Sequence, residues 1–418
     1  MKKFVLPLLL VLMPISANAD SAWVQAVNNG FEARVVTTAT VCPTLRINNG
    51  EMPMTVRAVA NASFPLICGA LIPAGAKNIS IGGQSLAAPV ADPQRILVVG
   101  DTGCRIKGAA LQACNDPAKW PFPQVASAAA RLKPDLVIHV GDYLYRESAC
   151  PVGNAGCAGS PWGDNWTTWK ADFFDPAAPL LAAAPIVLAR GNHEDCTRAG
   201  LGWVRLQGPS TFDGNCIVHQ PIYMVALGGL TLGVLDDAVS NETDLDRDVG
   251  KVYAGEIASL AKAPDPVWFI HHRPTWAAVS GPLGIPIGGN LTLIEAARVN
   301  AAKGGPMLPH NVELQLSGHI HTFESINYQG GVPPQIVAGN GGDNLDVTPL
   351  NLRGSQFLGH SGVTVADGLS VGGFGFLLMT RAETGWTIDL YDSAGTKTRT
   401  CRFTTPAKGK QGRLDCPA

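Results

Sequence analysis

Apolar residues gather along this chain in short runs, and each run stops abruptly at a polar cluster. The clearest is LVIHVGDYLYR, residues 136–146. Its β-branched run reads as a buried strand, and Gly141 permits a sharp exit that sets Asp142 just past the strand's C-terminal edge. The design recurs: residues 96–99 run into GDTGCR, 186–189 into RGNHED, 267–270 into HHRP and 312–316 into SGHIHTFE, while 230–235 ends at Asp236 and Asp237. Helix candidates lie between strands, namely the alanine-rich 124–132 ahead of Pro134, and 166–181, interrupted by Pro176 and Pro179. Strands alternating with helices predict an α/β body over residues 93–405, closed by the antiparallel pair FGFLLMT and WTIDLYD and followed by a tail over 406–418. In open α/β sheets the C-terminal strand edge is where sites are built.

Residues 20–92 lack helical periodicity and offer ARVVTTATV, MTVRAVA and NISIGGQSL, short β-type runs with Gly-Gly and Asn-Gly turns. They predict a small N-terminal β domain, with LAAPVADP as the linker that follows. Ahead of it, residues 1–19 carry Lys2 and Lys3, an apolar core and Ala17-Asn18-Ala19, the pattern of a signal peptide cut before Asp20. That core is shorter than the roughly 20 residues of a membrane span, and no other segment is long and apolar enough. The expectation is an exported protein, periplasmic or extracellular, with no membrane contact after cleavage.

Loss of the two leader lysines takes the formal charge from -2 to -4, and the chain has no basic run, which argues against nucleic acid as a standing partner. Charged residues make up 15%, well below the usual quarter or so, which describes a loop-rich body. The ten cysteines all follow the leader and fall into near neighbours: 42 with 68, 104 with 114, 150 with 157, 196 with 216 and 401 with 416. In an oxidising compartment an even set favours disulfides, while a zinc cluster lacks any C-x-x-C pair. Spacing alone leaves the connectivity open.

Five strand ends supply Asp101, Asp142 with Tyr145, Asn192 with His193, His271 with His272, and His319 with His321. Oxygen donors from Asp and Tyr beside nitrogen from His suit hard to borderline ions such as Fe, Zn and Mn. About seven donors are too many for one tetrahedral zinc and enough for two ions sharing a carboxylate.

The order GDTG, GDYLY, GNHE, HHRP, GHIH resembles the calcineurin-like metallophosphoesterase superfamily and, within it, the purple acid phosphatase branch, over roughly residues 93–403. The resemblance implies a metallophosphoesterase β-sandwich flanked by helices in βαβ-type units. It implies that Asp142 bridges two ions, that Asp101, Tyr145 and His321 complete the first, and that Asn192, His272 and His319 complete the second. The ions implied are Fe with Zn, Mn or a second Fe, with an iron-phenolate colour from Tyr145. Members outside the purple branch usually carry D-x-H in the first motif; here Gly103 stands in place of that histidine, and Tyr145 offers the replacement ligand. His272 is favoured over His271 because x-Pro follows it, with the reverse assignment left open.

The reaction implied is attack of metal-bound hydroxide on a small phosphate ester, with His193 contacting the phosphoryl oxygens or protonating the leaving group. Glu194 and Glu324 are candidates to orient the ligand histidines. Plant-type purple acid phosphatases carry further histidines shortly after the fourth motif, and residues 276–289 hold none; Arg105, Arg146 and Arg273 are the alternative sources of positive charge for substrate. His139, His219, His310 and His360 carry no motif and read as ordinary histidines. The expectation is an exported dinuclear phosphatase acting on phosphomonoesters. A phosphodiesterase or nucleotidase on the same site is the alternative, and a non-catalytic phosphate- or metal-binding protein is the alternative of another class. The sequence carries no sign of oligomeric state.

Overall fold

The computed structural model describes residues 19–28, 30–264, 266–357, 362–406 and 412–417. The leader read over 1–19 lies outside them but for Ala19, as does His360. Among the described residues no helix is long and apolar enough to cross a membrane.

Two sheets stack face to face. The first has eleven strands, with Arg95–Val99, Leu136–His139 and Ile186–Leu188 parallel at its centre. The second has seven, centred on the parallel strands Leu230–Val234, Val267–Ile270, Val312–Ser317 and Gln335–Ala338. These central strands are buried on both sides and largely apolar, as parallel strands covered on both faces are, with Gln315, Ser317 and Gln335 as buried polar exceptions in the second sheet. Ile96, Val98, Ile138 and Val187 pack with Leu232, Trp268, Ile270 and Leu316 between the sheets. The alternate residues Leu97, Val99, Val137 and Leu188 pack under the helices Phe122–Arg131, Asp175–Ala183 and Gly200–Leu206. On the far side, Val267, Phe269, Val312 and Val337 pack under Arg247–Ser259 and Leu291–Ala302. The architecture is thus an α/β two-sheet sandwich with helices outside both sheets, the arrangement that the motif resemblance implies.

The N-terminal β region joins this sandwich directly. Ala19–Val27 runs parallel to Ile186–Leu188, so Ala19–Val27, Gly30–Thr37, Leu66–Leu71 and Thr55–Ala58 extend the first sheet outward. Four short strands, Thr44–Ile47, Gly50–Pro53, Ile79–Ile81 and Gln84–Leu86, form a smaller sheet of their own. The helix Gly200–Leu206 leaves its C-terminal carbonyls without helical partners, and the N-terminal strands satisfy them. Arg34, buried, donates to Leu206 O and Gly208 O, both at 2.8 Å. Arg57 donates to Val204 O at 2.8 Å and Arg205 O at 2.9 Å, and Gln25 to Gln207 O at 2.7 Å. Two cations at a helix C-terminus also complement its dipole.

All ten cysteines are paired with their near neighbours, 42–68, 104–114, 150–157, 196–216 and 401–416. The last pair holds Arg413–Asp415 as an edge strand beside Lys397–Thr404, within the stretch read as a tail.

Arg34→Ala strands two buried carbonyls and the Glu32 carboxylate, so the expected loss is about 3 kcal/mol or more of folding stability. Urea unfolding followed by circular dichroism measures it. An unchanged midpoint would show that these bonds do not brace the helix.

Candidate active site

The C-terminal ends of the central strands of both sheets meet at one edge of the sandwich. From the first sheet, Asp101 follows Arg95–Val99, Asp142 follows Leu136–His139 and Asn192 follows Ile186–Leu188. From the second, His272 follows Val267–Ile270 and His319 follows Val312–Ser317. Asp101, Asp142 and His319 all leave their strands through left-handed backbone, with φ of 56°, 58° and 70°. Such a conformation costs a non-glycine residue about 1–3 kcal/mol and persists only where the surroundings fix it. Here they do: His319 N donates to both Asp101 carboxylate oxygens at 3.0 Å, and His193 N donates to Asp142 Oδ1 at 2.9 Å. Gly191 is required by the same crowding, since a Cβ there would stand 2.1 Å from Asp142 Oδ1.

The predicted donors come together in two overlapping groups. Tyr145 Oη lies 2.7 Å from Asp142 Oδ2, 3.2 Å from Asp101 Oδ1 and 3.2 Å from His321 Nε2. His272 Nε2 lies 3.2 Å from Asp142 Oδ2 and 3.0 Å from Asn192 Oδ1. Asp142, His272 and His319 also offer ligand atoms within 4.8 Å of one another. Asp142 therefore belongs to both groups. The rings are oriented from behind. His272 Nδ1 bonds Val140 O at 2.8 Å and His321 Nδ1 bonds Asn344 O at 2.6 Å, which turns each Nε2 inward. His319 is turned the other way: its Nε2 lies 3.1 Å from Glu242 Oε1, which leaves Nδ1 as the ring nitrogen not set against that carboxylate. His271 faces away, with its ring stacked on Phe269 and its Nδ1 2.8 Å from Arg273 O, so His272 is the histidine of the pair that reaches Asp142. Tyr143 likewise points elsewhere, donating to Ala189 O at 2.7 Å.

The charges favour a cation. Burial alone would pull the His272 and His321 imidazoles down, yet Asp142 raises His272 to about 10, and Asp101 with Asp343 raises His321 to about 9. Burial, then the charges of Asp142 and Asp101, push the Tyr145 phenol well above its ordinary range. A field that holds protons on two imidazoles and a phenol favours metal ions among the same atoms, and the O and N donor set suits hard to borderline ions. The residues fit the group that the motifs imply.

His193 lies tilted by 40° against Tyr145 with ring centroids 3.7 Å apart, its Nε2 3.9 Å from Asp142 Oδ2. Its Nδ1 lies 2.7 Å from Glu147 Oε1, and Arg198 pairs with the same carboxylate. Gly103 packs beneath the Tyr145 ring; a Cβ there would fall 2.7 Å from Tyr145 Cδ2, 2.6 Å from Tyr143 O and 2.8 Å from Asp172 Oδ2. A histidine at 103 and the phenol at 145 are thus mutually exclusive in this backbone.

Several of the other candidates have partners of their own in the structure. Arg146 is buried, paired with Asp172 at 2.9 Å and set over the Trp120 ring. Arg105 is ion-paired with Asp343 and lies 4.8 Å from the Tyr145 ring centroid, and Arg273 is paired with Glu242. Glu194 accepts from Tyr143 N and Leu144 N, and Glu324 from Ala278 N; the carboxylates set against the site histidines are instead Glu147, Glu242 and Asp343. These three, with Arg198, lie on loops without a spacing signal, although Glu147 closes the GDYLYRE stretch. His139 is a satisfied core histidine, 3.0 Å from Thr102 Oγ1, and His219 pairs with Glu256 at 3.0 Å.

A two-sheet α/β sandwich carrying this donor set at its strand ends defines a phosphoesterase, a hydrolase of phosphate esters that uses metal ions. The chain belongs to the calcineurin-like phosphoesterase family, whose model matches residues 94–323. Among solved structures it is similar to purple acid phosphatase PPD1 from seeds of yellow lupin (Lupinus luteus), 14% identical over 91% of this chain and 73% of that one, with a TM-score of 0.55. It is also similar to PhoD, 10% identical over 95% of this chain and 91% of that one, with a TM-score of 0.57. At these identities the likeness is one of fold. No curated protein matches the chain by sequence.

Gly103→Ala forces a methyl group against the Tyr145 ring and should cost about 1–3 kcal/mol through overpacking. Denaturant unfolding, with near-ultraviolet circular dichroism to follow the tyrosine, tests this. Wild-type stability with an unaltered tyrosine signal would mean that Tyr145 does not fill that space.

Proposed function

We propose that this protein is an exported phosphatase that hydrolyses small phosphomonoesters at a pair of metal ions, most simply Fe with Zn, Mn or a second Fe. The observation that carries the reading is the double membership of Asp142, 2.7 Å from Tyr145 Oη in one donor group and 3.2 Å from His272 Nε2 in the other. Asp101, Tyr145 and His321 would hold one ion, Asn192, His272 and His319 the other, with Asp142 shared. The exchange of a histidine at 103 for Gly103 and Tyr145 supports placement in the purple branch, because a phenolate is a hard oxygen donor suited to Fe(III). Five disulfides among ten cysteines support export to an oxidising compartment.

When bound, the ions supply the charge that activates water and neutralises the phosphoryl oxygens of an in-line displacement. The chain's own groups orient the ester. His193, whose Nδ1 lies against both Arg198 Nη2 and Glu147 Oε1, presents Nε2 on the Asp142 side, where it is placed to hydrogen-bond a phosphoryl oxygen. Arg198 holds the Glu147 carboxylate in turn, so His193 is fixed before substrate arrives. Hydrolysis of p-nitrophenyl phosphate against its bis ester, by metal-analysed protein, tests the reading: turnover of the monoester supports it, and preference for the diester overturns the monoester assignment.

Asp142→Asn should lower metal content at both positions and reduce turnover by more than about a hundredfold, since even partners behind a ligand are worth about 10–100-fold. Elemental analysis reads the first effect and p-nitrophenyl phosphate the second. Two retained ions with near-normal rate would remove Asp142 from the shared position.

In iron-loaded protein, Tyr145→Phe should abolish a visible absorption band that Tyr143→Phe leaves in place, because the Tyr143 hydroxyl is spent on Ala189 O. Should iron-loaded wild type show no such band, the purple-branch placement fails and a member loaded with other ions takes its place.

A further inference from the structure

The segment after HHRP contains no ionisable side chain from Thr275 to Gly289, and it leads directly out of the strand end that carries His272. Val279–Ser280 pairs with Pro286–Ile287 in a short hairpin whose base is buried, Trp276, Ala277 and Ala278 being closed to solvent. Its tip is open and apolar: Leu283 is 93% exposed, Ile285 59% and Ile287 50%. Beside it runs a second segment with Val347 at 72% and Leu350 at 85%. The two are bonded, Ser280 N to Val347 O at 2.9 Å and Leu350 N to Gly284 O at 3.4 Å, and a Cβ on Gly284 would strike Leu350 Cδ1 at 2.7 Å. Five large apolar side chains therefore form one exposed patch, which a monomeric surface seldom carries without use.

Both feet of this patch are tied to the donor histidines. Asn290, at the end of the hairpin, bonds Thr275 O at 3.2 Å and Ser240 Oγ at 2.9 Å and reaches Glu242, whose carboxylate holds His319 Nε2. On the other side, Asp346, next to Val347, accepts from His321 N at 2.9 Å and donates its own N–H to His321 O at 3.2 Å. The apolar surface thus begins one residue from a bonding partner of His321, and its hairpin closes at a residue that reaches the carboxylate beside His319. Pro282 and Pro286 stiffen the hairpin, so little conformational freedom is lost when something packs on it.

We propose that this rim receives the apolar body of the leaving alcohol, and that the preferred substrates are monophosphate esters of alkyl or aryl alcohols in free solution, with the phosphoryl group at the donor cluster and the hydrocarbon against Leu283, Ile285, Ile287, Val347 and Leu350. The inference rests on the phosphomonoesterase reading above. These five apolar side chains offer nothing to pair with the polar body of a nucleotide or sugar phosphate, whereas each methylene fully removed from water is worth about fourfold in binding. On a one-sided surface the gain per methylene is smaller.

The test is kcat/KM for ethyl, butyl, hexyl and octyl phosphate, each below its aggregation threshold, with metal-loaded wild type and with Leu283→Ser/Ile285→Ser/Leu350→Ser. About a tenfold rise from ethyl to octyl is expected in wild type, and a collapse of that ratio toward one in the triple variant. All three positions are exposed, so thermal unfolding should match wild type; if the triple variant does not fold, Leu350→Ser alone carries the comparison. A flat series in wild type, or an unchanged ratio in the folded variant, overturns the inference. So does a flat series combined with sedimentation of wild type, but not the variant, on phosphatidylcholine vesicles, because the patch would then be a membrane-surface contact. Absence of turnover on p-nitrophenyl phosphate as well would instead sink the monoesterase reading itself.

Discussion

The Asp142 carboxylate is engaged from three sides: Tyr145 Oη approaches one oxygen, His272 Nε2 approaches the same oxygen from the opposite sheet, and His193 N donates to the other. Burial alone would push this carboxyl up, but the charges of His272 and His193 and the bonds they make outweigh it and hold it well below the usual carboxylate range. Much else in the molecule follows from placing one anion there. The sheets must bring their C-terminal edges together, the backbone at Asp142 must take a left-handed turn, and the neighbouring motif must begin with Gly191 to make room for an oxygen. A sandwich whose sheets are covered on both faces can hold such a site rigid, because a one-residue slip of a central strand would turn its apolar side chains to the wrong face.

The second constraint is mutual exclusion between positions 103 and 145. Two readings of the first motif, a missing histidine or a remodelled pocket, look alike in one dimension. In three they separate: Tyr145 occupies the volume into which any side chain at 103 would project, and Asp172 fixes that arrangement by accepting from Cys104 N and Tyr145 N at 2.9 and 2.8 Å. Arg146, first read as a contact for substrate, completes the same support by neutralising Asp172. The local chemistry therefore treats Gly103, Tyr145, Arg146 and Asp172 as one unit.

What was legible in the sequence is what short range dictates. Strands such as 136–139 and 267–270 announce themselves by β-branched runs, and a Gly-Asp or His-His pair at their ends marks the edge. The helix Arg247–Ser259 escaped notice because Gly250 and Gly255 blur its stripe, although its Asp246 cap is sound. Leu291–Ala302 spreads Glu295, Arg298 and Asn300 among alanines, so its apolar stripe is faint. Phe323–Tyr328 follows GHIHT so closely that the motif hid the strand. The partners of the site histidines were invisible for a different reason. Glu147, Glu242 and Asp343 reach them across tertiary distances set by loops, and no periodicity records a distance of that kind.

Those loops explain the distribution of the disulfides. A site built on strand ends depends on irregular chain, and irregular chain is entropically expensive to hold still. Three of the five bonds sit just behind the donors: 104–114 after Asp101, 150–157 after Tyr145 and 196–216 after Asn192. Each closes a short loop and narrows the unfolded ensemble by an amount on the order of 2–4 kcal/mol. With charged residues at only 15% of the chain, few surface ion pairs are available for the same work. Covalent staples close to Asp101, Tyr145 and Asn192, together with the arginines that bind the N-terminal strands to Gly200–Leu206, hold the loops in the one geometry that lets both halves of the sandwich share Asp142.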